Sequence, residues 1–252
     1  MNEVIKQTSS DELLSSGKLH KAHLYIKSRH KNLTKEKKKK LFLPCITISR
    51  ETGAGSKDVS NYLLKYIEEN KIFSSQKWAV FDQNLIEKVL EHHNLPKRLA
   101  ELMSEKKHSD IKSYITELFS NQPASWTLVQ KTMATILQLA EAGNSIIIGR
   151  GGSIITANLK NTLHIRLVAN LQDRVKRIQS VLNFTREEAK IYIIKKDSDR
   201  KKYIKTYFNK DITDPQLYHL ILNTSICTCK QAGEMIGKLV EIYFEKYITQ
   251  RA

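Results

Sequence analysis

The stretch "CITISRETGAGSKDVSNYLLKYI", residues 45–67, decides the fold. It opens as a short apolar, β-branched run, breaks at Gly53 and Gly55, and resumes with Val59, Tyr62, Leu63, Tyr66 and Ile67 at helical spacing. That is a strand, a glycine-bearing loop and a helix. Successive backbone N–H groups in such a loop, together with the helix N-terminus, can surround phosphate oxygens. In the usual pattern GxxxxGK[ST] a lysine adds charge and a hydroxyl binds magnesium. Here Arg50 stands at the first glycine, Ser56 at the lysine and Asp58 at the hydroxyl, so only the backbone part of the device is intact. Lys57 follows on the first helical turn, where it either swings toward phosphates or faces solvent. Asp58 complements the helix dipole there, or holds a metal through water. The loop alone leaves a phosphate cradle and a plain strand-to-helix turn equally open.

A dinucleotide fold is the main rival, because "GAG" resembles part of GxGxxG and Asp82 ends the next strand, where a ribose-binding acid belongs. The third glycine is absent, however, and "SRET" separates the strand from Gly53. A loop that long suits a phosphate cradle better.

Working outward, short apolar runs at 44–49, 78–82, 145–149, 163–169 and 218–223 alternate with helical periods. This predicts an α/β fold with a five-stranded parallel sheet. Residues 83–142 read as several helices with no convincing strand, too much for a simple crossover, and are expected to form a helical insertion. Residues 42–252 make one main domain. Residues 1–41 form a basic N-terminal extension ending in "KEKKKK"; the first 40 hold ten Lys and one Arg against three Glu and one Asp, or +7 of the formal +16. Such a run is a solvated tail or a weak contact for nucleic acid. No apolar run is long enough for a membrane span and the N-terminus has no apolar signal core, so a cytoplasmic protein without membrane contact is expected. Cys45, Cys227 and Cys229 have no disulfide-framework or zinc spacing, and the eight histidines suggest no ligand cluster.

At the end of the third strand "IIIGRGGS" places Arg150 among glycines, at the carboxyl edge where open α/β sheets bind ligands; a guanidinium there suits a phosphate. After the fourth strand Arg174 and Arg177 stand three apart on a helix, and Thr185, Glu187 and Glu188 begin another. Lys195, Lys196, Arg200, Lys201 and Lys202, interrupted by Asp197 and Asp199, are either a solvated helix face or a mobile cationic lid. Tyr203, Tyr207 and Phe208 recur at helical spacing and read as packing groups.

Taken together, "ISRETGAGSKDVS" (48–60), "VFDQNLIEKV" (80–89), "IIIGRGGSII" (146–155), "HIRLVANLQDRVKRI" (164–178) and "KKDSDRKKYIKTYFNKDITDPQLYHLILNTS" (195–225) resemble the cytidylate-kinase-like family of P-loop nucleoside monophosphate kinases. The resemblance runs in chain order from about 44 to 245. It implies a three-layer P-loop kinase fold with 83–142 as the monophosphate-binding insertion and 183–212 as a helical lid. It also implies ATP and Mg2+ as cofactors, with phosphoryl transfer from a nucleoside triphosphate to a nucleoside monophosphate such as CMP or dCMP.

By the same resemblance, Arg50 and the loop residues Gly53, Ala54, Gly55, Ser56, Lys57 and Asp58 hold the donor phosphates, joined by Arg174 and Arg177, and Asp58 is the candidate metal ligand. Asn223, Thr224 and Ser225 border the donor base. Asp82, Arg150, Lys196, Asp197 and Arg200 bind the acceptor, and Lys57, Arg150 and Arg200 carry the charge of catalysis. Cytidylate kinases carry the loop lysine, a hydroxyl after it and an acid after the strand-end GR; this chain has Ser56, Asp58 and Gly151, leaving Lys57, Lys196 or Arg200 to supply the missing charge. Two further readings are a catalytically weak nucleotide-binding module and a basic nucleic-acid-binding protein.

Overall fold

A computed structural model describes residues 24–25, 42–73, 77–82 and 127–248. The lysine run before residue 41 and the helices expected within 83–126 lie outside the described residues.

Five strands form one parallel sheet: β1 (Cys45–Arg50), β2 (Ala79–Phe81), β3 (Ser145–Ile148), β4 (Thr162–Val168) and β5 (Leu220–Asn223), in the order β2-β3-β1-β4-β5. Each expected strand is present within two residues of its expected ends. The helices are α1 (Ser56–Glu69), α2 (Thr127–Ala142), α3 (Gly152–Ile155), α4 (Leu171–Leu182), α5 (Arg186–Phe208), α6 (Cys229–Tyr243) and α7 (Glu245–Ile248). Helices cover both faces of the sheet, so its central strands are buried throughout and their sequences are nearly continuous apolar runs. On one face Ile46, Ile48, Ile146, Ile148, Leu163 and Ile165 pack with Val59 and Leu63 of α1 and Ile236 and Val240 of α6. On the other, Cys45, Ile147 and Phe81 pack with Met133, Ile136 and Leu137 of α2 and Ile155 of α3.

Two boundaries differ from expectation. The last part of the expected insertion, Thr127–Ala142, is a crossover helix whose Met133, Ile136, Leu139 and Ala140 belong to the sheet core, because its apolar stripe has β1 and β3 to bury against. Within the expected extension, Tyr25 is buried, its hydroxyl donates to the Gly143 carbonyl and its ring meets Phe81 edge-on at 5.4 Å. One aromatic with a satisfied hydroxyl anchors at least this part of the basic segment to the fold.

The expected start of α5 is present as a capping box: the Glu188 N–H donates to Thr185 Oγ1 and the Glu188 carboxylate accepts the Thr185 N–H. Thr228 and Gln231 do the same for α6. These devices fix where the two helices begin.

The α2/α3 face of β1 and β4 is not uniformly apolar. Thr47, Ser49, His164 and Arg166 alternate toward it and form a polar floor under α5. His164 Nδ1 lies 2.8 Å from Thr47 Oγ1, and the His164 backbone N–H donates to His219 Nδ1 at 2.9 Å. Burial, helped by His219, holds the His164 imidazole down to about 4 from its usual 6.5. The native protein keeps this ring neutral while the unfolded chain takes a proton near 6.5. Its stabilising contribution is therefore complete above about pH 6.5 and lost as the pH falls toward about 4. His164→Gln is expected to show a shallower loss of denaturation midpoint across that window. Identical slopes in the two proteins would place the acid sensitivity elsewhere.

Candidate functional site

The connection leaving β1 runs to β2 on one side of the sheet, and the connection leaving β3 runs to β4 on the other. Their divergence opens a crevice at the carboxyl ends of β1 and β3, the place where open α/β sheets bind ligands. A cavity of about 460 Å3 lies there, bounded by the ends of β1 and β3, the start of α3 and the inner side of α5. Ser49, Arg50, Arg150, Lys196, Arg200 and Tyr203 are among its walls.

The guanidiniums are held there by local backbone choices. Gly149, Arg150 and Gly151 all take positive φ, 86°, 53° and 74°. At Gly149 the conformation is needed and so is the missing side chain, since a Cβ would lie 1.9 Å from Arg50 Nη1. Arg150 in the left-handed region carries strain of roughly 1–2 kcal/mol, and its guanidinium sits 5.8 Å from the Tyr203 ring centre. Burial lowers the Arg150 pKa. Burial, then the charges of Arg200 and Arg150, bring Arg50 down to about 10, with Asp82 and Asp197 acting the other way. Like charges gathered at a half-buried wall make a field that favours an anion.

The glycine loop, 51–55, lies beside this cavity. The Thr52 N–H and hydroxyl donate to Asp197 Oδ1 at 2.8 and 2.7 Å. Arg174 donates to Asp197 Oδ2 at 2.5 Å and its Nε lies 3.6 Å from Glu51 Oε2. Arg200 donates to Asp197 Oδ1 at 3.0 Å and to the Thr52 hydroxyl. Arg177 braces the loop from behind, donating to the Gly53 carbonyl at 3.2 Å and to the Thr224 carbonyl at 2.6 Å. The Thr224 hydroxyl donates to the Ala54 carbonyl at 3.1 Å, and Ser225 Oγ accepts the Asn170 N–H at 2.8 Å. The Asn223 side chain accepts the Ser225 N–H. The "NTS" turn thus ties β5 to the loop.

A second cavity of about 290 Å3 lies on the β4 side and shares Arg50 and Arg200 with the first. Arg166, 5% exposed, lines it and donates to the Ser49 hydroxyl at 3.0 Å.

The structure brings together Arg50, Arg150, Lys196 and Arg200 at one cavity, and Arg174, Asp197 and Arg200 at the loop. Asp82 is close enough to influence Arg50. Ser56 begins α1 and its carbonyl accepts the Ser60 hydroxyl. Lys57 and Asp58 are exposed on the first turn of α1 and line neither cavity. Among the described residues no three His, Cys, Asp or Glu side chains are grouped as a metal site. Thr52, Glu51, Ser49 and Arg166 were not singled out from the sequence. The spacing of "SRET" offered only its length as a signal. Tyr203, expected to pack, also walls the cavity.

A parallel five-stranded sheet, a glycine loop between its first strand and first helix, and an arginine-lined crevice at the strand ends define a nucleotide-kinase-like α/β protein. Residues 45–226 match the cytidylate kinase-like family, and the chain belongs to that family. Among solved structures it is similar to an uncharacterized protein from Eubacterium ventriosum, with a TM-score of 0.60, 18% identity, and coverage of 79% of this chain and 98% of that one. It also matches shikimate kinase from Bacteroides thetaiotaomicron at a TM-score of 0.44 and 12% identity, over 79% of this chain and 99% of that one. A curated relative, uronate isomerase from Corynebacterium glutamicum, is 25% identical over 128 residues; the match takes in 51% of this chain and spans 24% of that protein's length. No described helix is long and apolar enough to cross a membrane.

Proposed function

We propose that this protein transfers the γ-phosphoryl group of ATP to a nucleoside monophosphate such as CMP or dCMP. The observation that carries the reading is the convergence of Arg50, Arg150 and Arg200 on one cavity at the carboxyl edge of β1 and β3. In the reaction an acceptor phosphate oxygen, already deprotonated at neutral pH, attacks the γ-phosphorus. The bond from that phosphorus to the β–γ bridging oxygen breaks, giving two diphosphates. No covalent nucleophile is required, and catalysis consists of positioning and charge neutralisation.

On this reading Arg50 and Arg150 hold the acceptor phosphate, with Lys196 at the same wall and Asp82 near enough to act on Arg50. Arg200 reaches between acceptor and loop. The donor phosphates lie along Gly53, Ala54, Gly55 and Ser56, where the first N–H groups of α1 have no partner within the helix. "NTS" borders the donor base, 183–212 is the lid and 83–142 carries the acceptor-binding insertion. The loop fits phosphate: two guanidiniums, a backbone N–H and a hydroxyl converge beside it, and all are donors. Arg174 and Arg200 stand in for the absent loop lysine, with Lys57 on the first turn of α1 as a further cation. Magnesium keeps several waters and needs only one or two carboxylates, so Asp58 with the nucleotide's own oxygens suffices to hold it. When bound, the ion neutralises charge on the phosphates.

A nucleotide-binding module without turnover is the second reading, favoured by Ser56 at the lysine position and by the exposure of Lys57. Calorimetric titration with ATP and magnesium, alone and with CMP, dCMP, UMP or AMP, followed by an assay for diphosphates, separates the two. Synergistic binding with turnover is expected. Binding without any diphosphate would favour the second reading, and no nucleotide binding would remove both.

A further inference from the structure

The carboxylate of Asp197 receives donors of the kind that an enzyme presents to phosphate. Oδ1 accepts the Thr52 N–H at 2.8 Å, the Thr52 hydroxyl at 2.7 Å and Arg200 at 3.0 Å, while Oδ2 accepts Arg174 at 2.5 Å. These donors come from three separate segments: the glycine loop, α4 and α5. What draws them to one point is an anion, and here the chain supplies it.

We propose that Asp197 is a stand-in for phosphate, occupying an oxyanion seat at the glycine loop and latching α5 against it until a phosphoryl oxygen takes its place. This rests on the reading of the loop as a phosphate site and goes beyond it, because it gives Asp197 the role of a competitor of the ligand.

Three features make the contact a latch. First, α5 spans 23 residues but buries only Ala189, Ile193 and Ile204, so apolar packing holds it weakly and the charged contact counts for more. Second, the Asp197 side chain is 29% exposed and lines the smaller cavity, so an incoming anion can reach it. Third, four donors, two of them from guanidiniums, crowd onto the two oxygens of one carboxylate, and a tetrahedral phosphoryl group offers them more acceptor oxygens. Glu51, 3.6 Å from Arg174, supplies one further negative charge, so the seat with Asp197 in it is near neutrality and stable without ligand. Displacement frees Asp197 to turn outward on α5, while Arg200, one turn along the same helix, remains on the anion. Ligand binding and release of the loop-to-lid contact are therefore one event.

The probe is inorganic pyrophosphate alone, which involves neither acceptor nor turnover. Asp197→Ala is expected to bind it at least tenfold more tightly than the unaltered protein, with Asp197→Asn between the two. Asp197→Ala should also melt at a lower temperature in chloride buffer, and pyrophosphate should raise that temperature more than it does for the unaltered protein. If Asp197→Ala is too unstable to measure, Asp197→Asn decides by the same affinity order. Equal or weaker binding in the variants, with the unaltered protein still binding pyrophosphate, overturns the latch and leaves the phosphate site standing. No binding by any of the three proteins overturns both.

Discussion

Arg50→Met is expected to bind phosphate-bearing nucleotides about tenfold to a hundredfold more weakly than the unaltered protein, while the free protein is as stable as before or more so. The binding loss follows from removing a charge-assisted hydrogen bond to phosphate, on the scale of about 1.5–3 kcal/mol. The stability gain follows from the cause of the lowered arginine pKa. Burial comes first, and the neighbouring charges of Arg200 and Arg150 add to it, bringing Arg50 to about 10. A cation whose pKa is depressed by folding costs stability at every pH where it is charged, which here means everywhere below about 10. Methionine fills a similar volume without that charge. Thermal denaturation without ligand and calorimetric titration with CMP and pyrophosphate check the two halves. A variant that loses stability and binding together would make Arg50 a packing residue over Gly149 and remove it from the site.

Gly53→Ala is expected to destabilise the protein by about 2–5 kcal/mol. The left-handed backbone accounts for about 1–2 kcal/mol of this and overpacking for about 1–3. Gly53 has φ of 81°, and a Cβ there would lie 2.7 Å from the Arg174 carbonyl oxygen and 2.9 Å from its Cα. Backbone cannot move aside as the end of a long side chain can, so the loop or α4 must shift. Either shift disturbs Arg174, and with it the Asp197 contact. Chemical denaturation measures the loss. A change under 1 kcal/mol would mean that the loop relaxes freely and is not a rigid cradle.

Much of the fold was legible because its signals are local. β-branched runs such as "CITIS" and "SIIIG" have few alternatives to a buried strand, and "TREE" states its own helix start. Gly53 and Gly55 announced a turn that no other residue adopts easily. The site was legible only in parts. Arg150 and Arg200 were recognisable by their place at the sheet edge and in a cationic run, but Arg50 was read as a loop residue because it occupies a glycine's place in the pattern. Its guanidinium reaches the larger cavity only because Gly149, 99 positions later, leaves room for it. The alternation of His164 and Arg166 with Leu163, Ile165 and Leu167 was visible, yet nothing in β4 said that its polar side would be buried under α5.

By itself the sequence determined a parallel α/β sheet and the strand-loop-helix at its centre, because periodicity, glycine placement and helix caps act within a few residues; the family was legible only as a resemblance carried by whole motifs such as 195–225. The tertiary structure alone decided which charges meet. Asp197 and Thr52 are 145 positions apart and Arg174 lies on a third segment. Charges act through space, so a run that reads as a solvated helix face becomes, once α5 lies over the loop, the wall of a guanidinium-lined cavity.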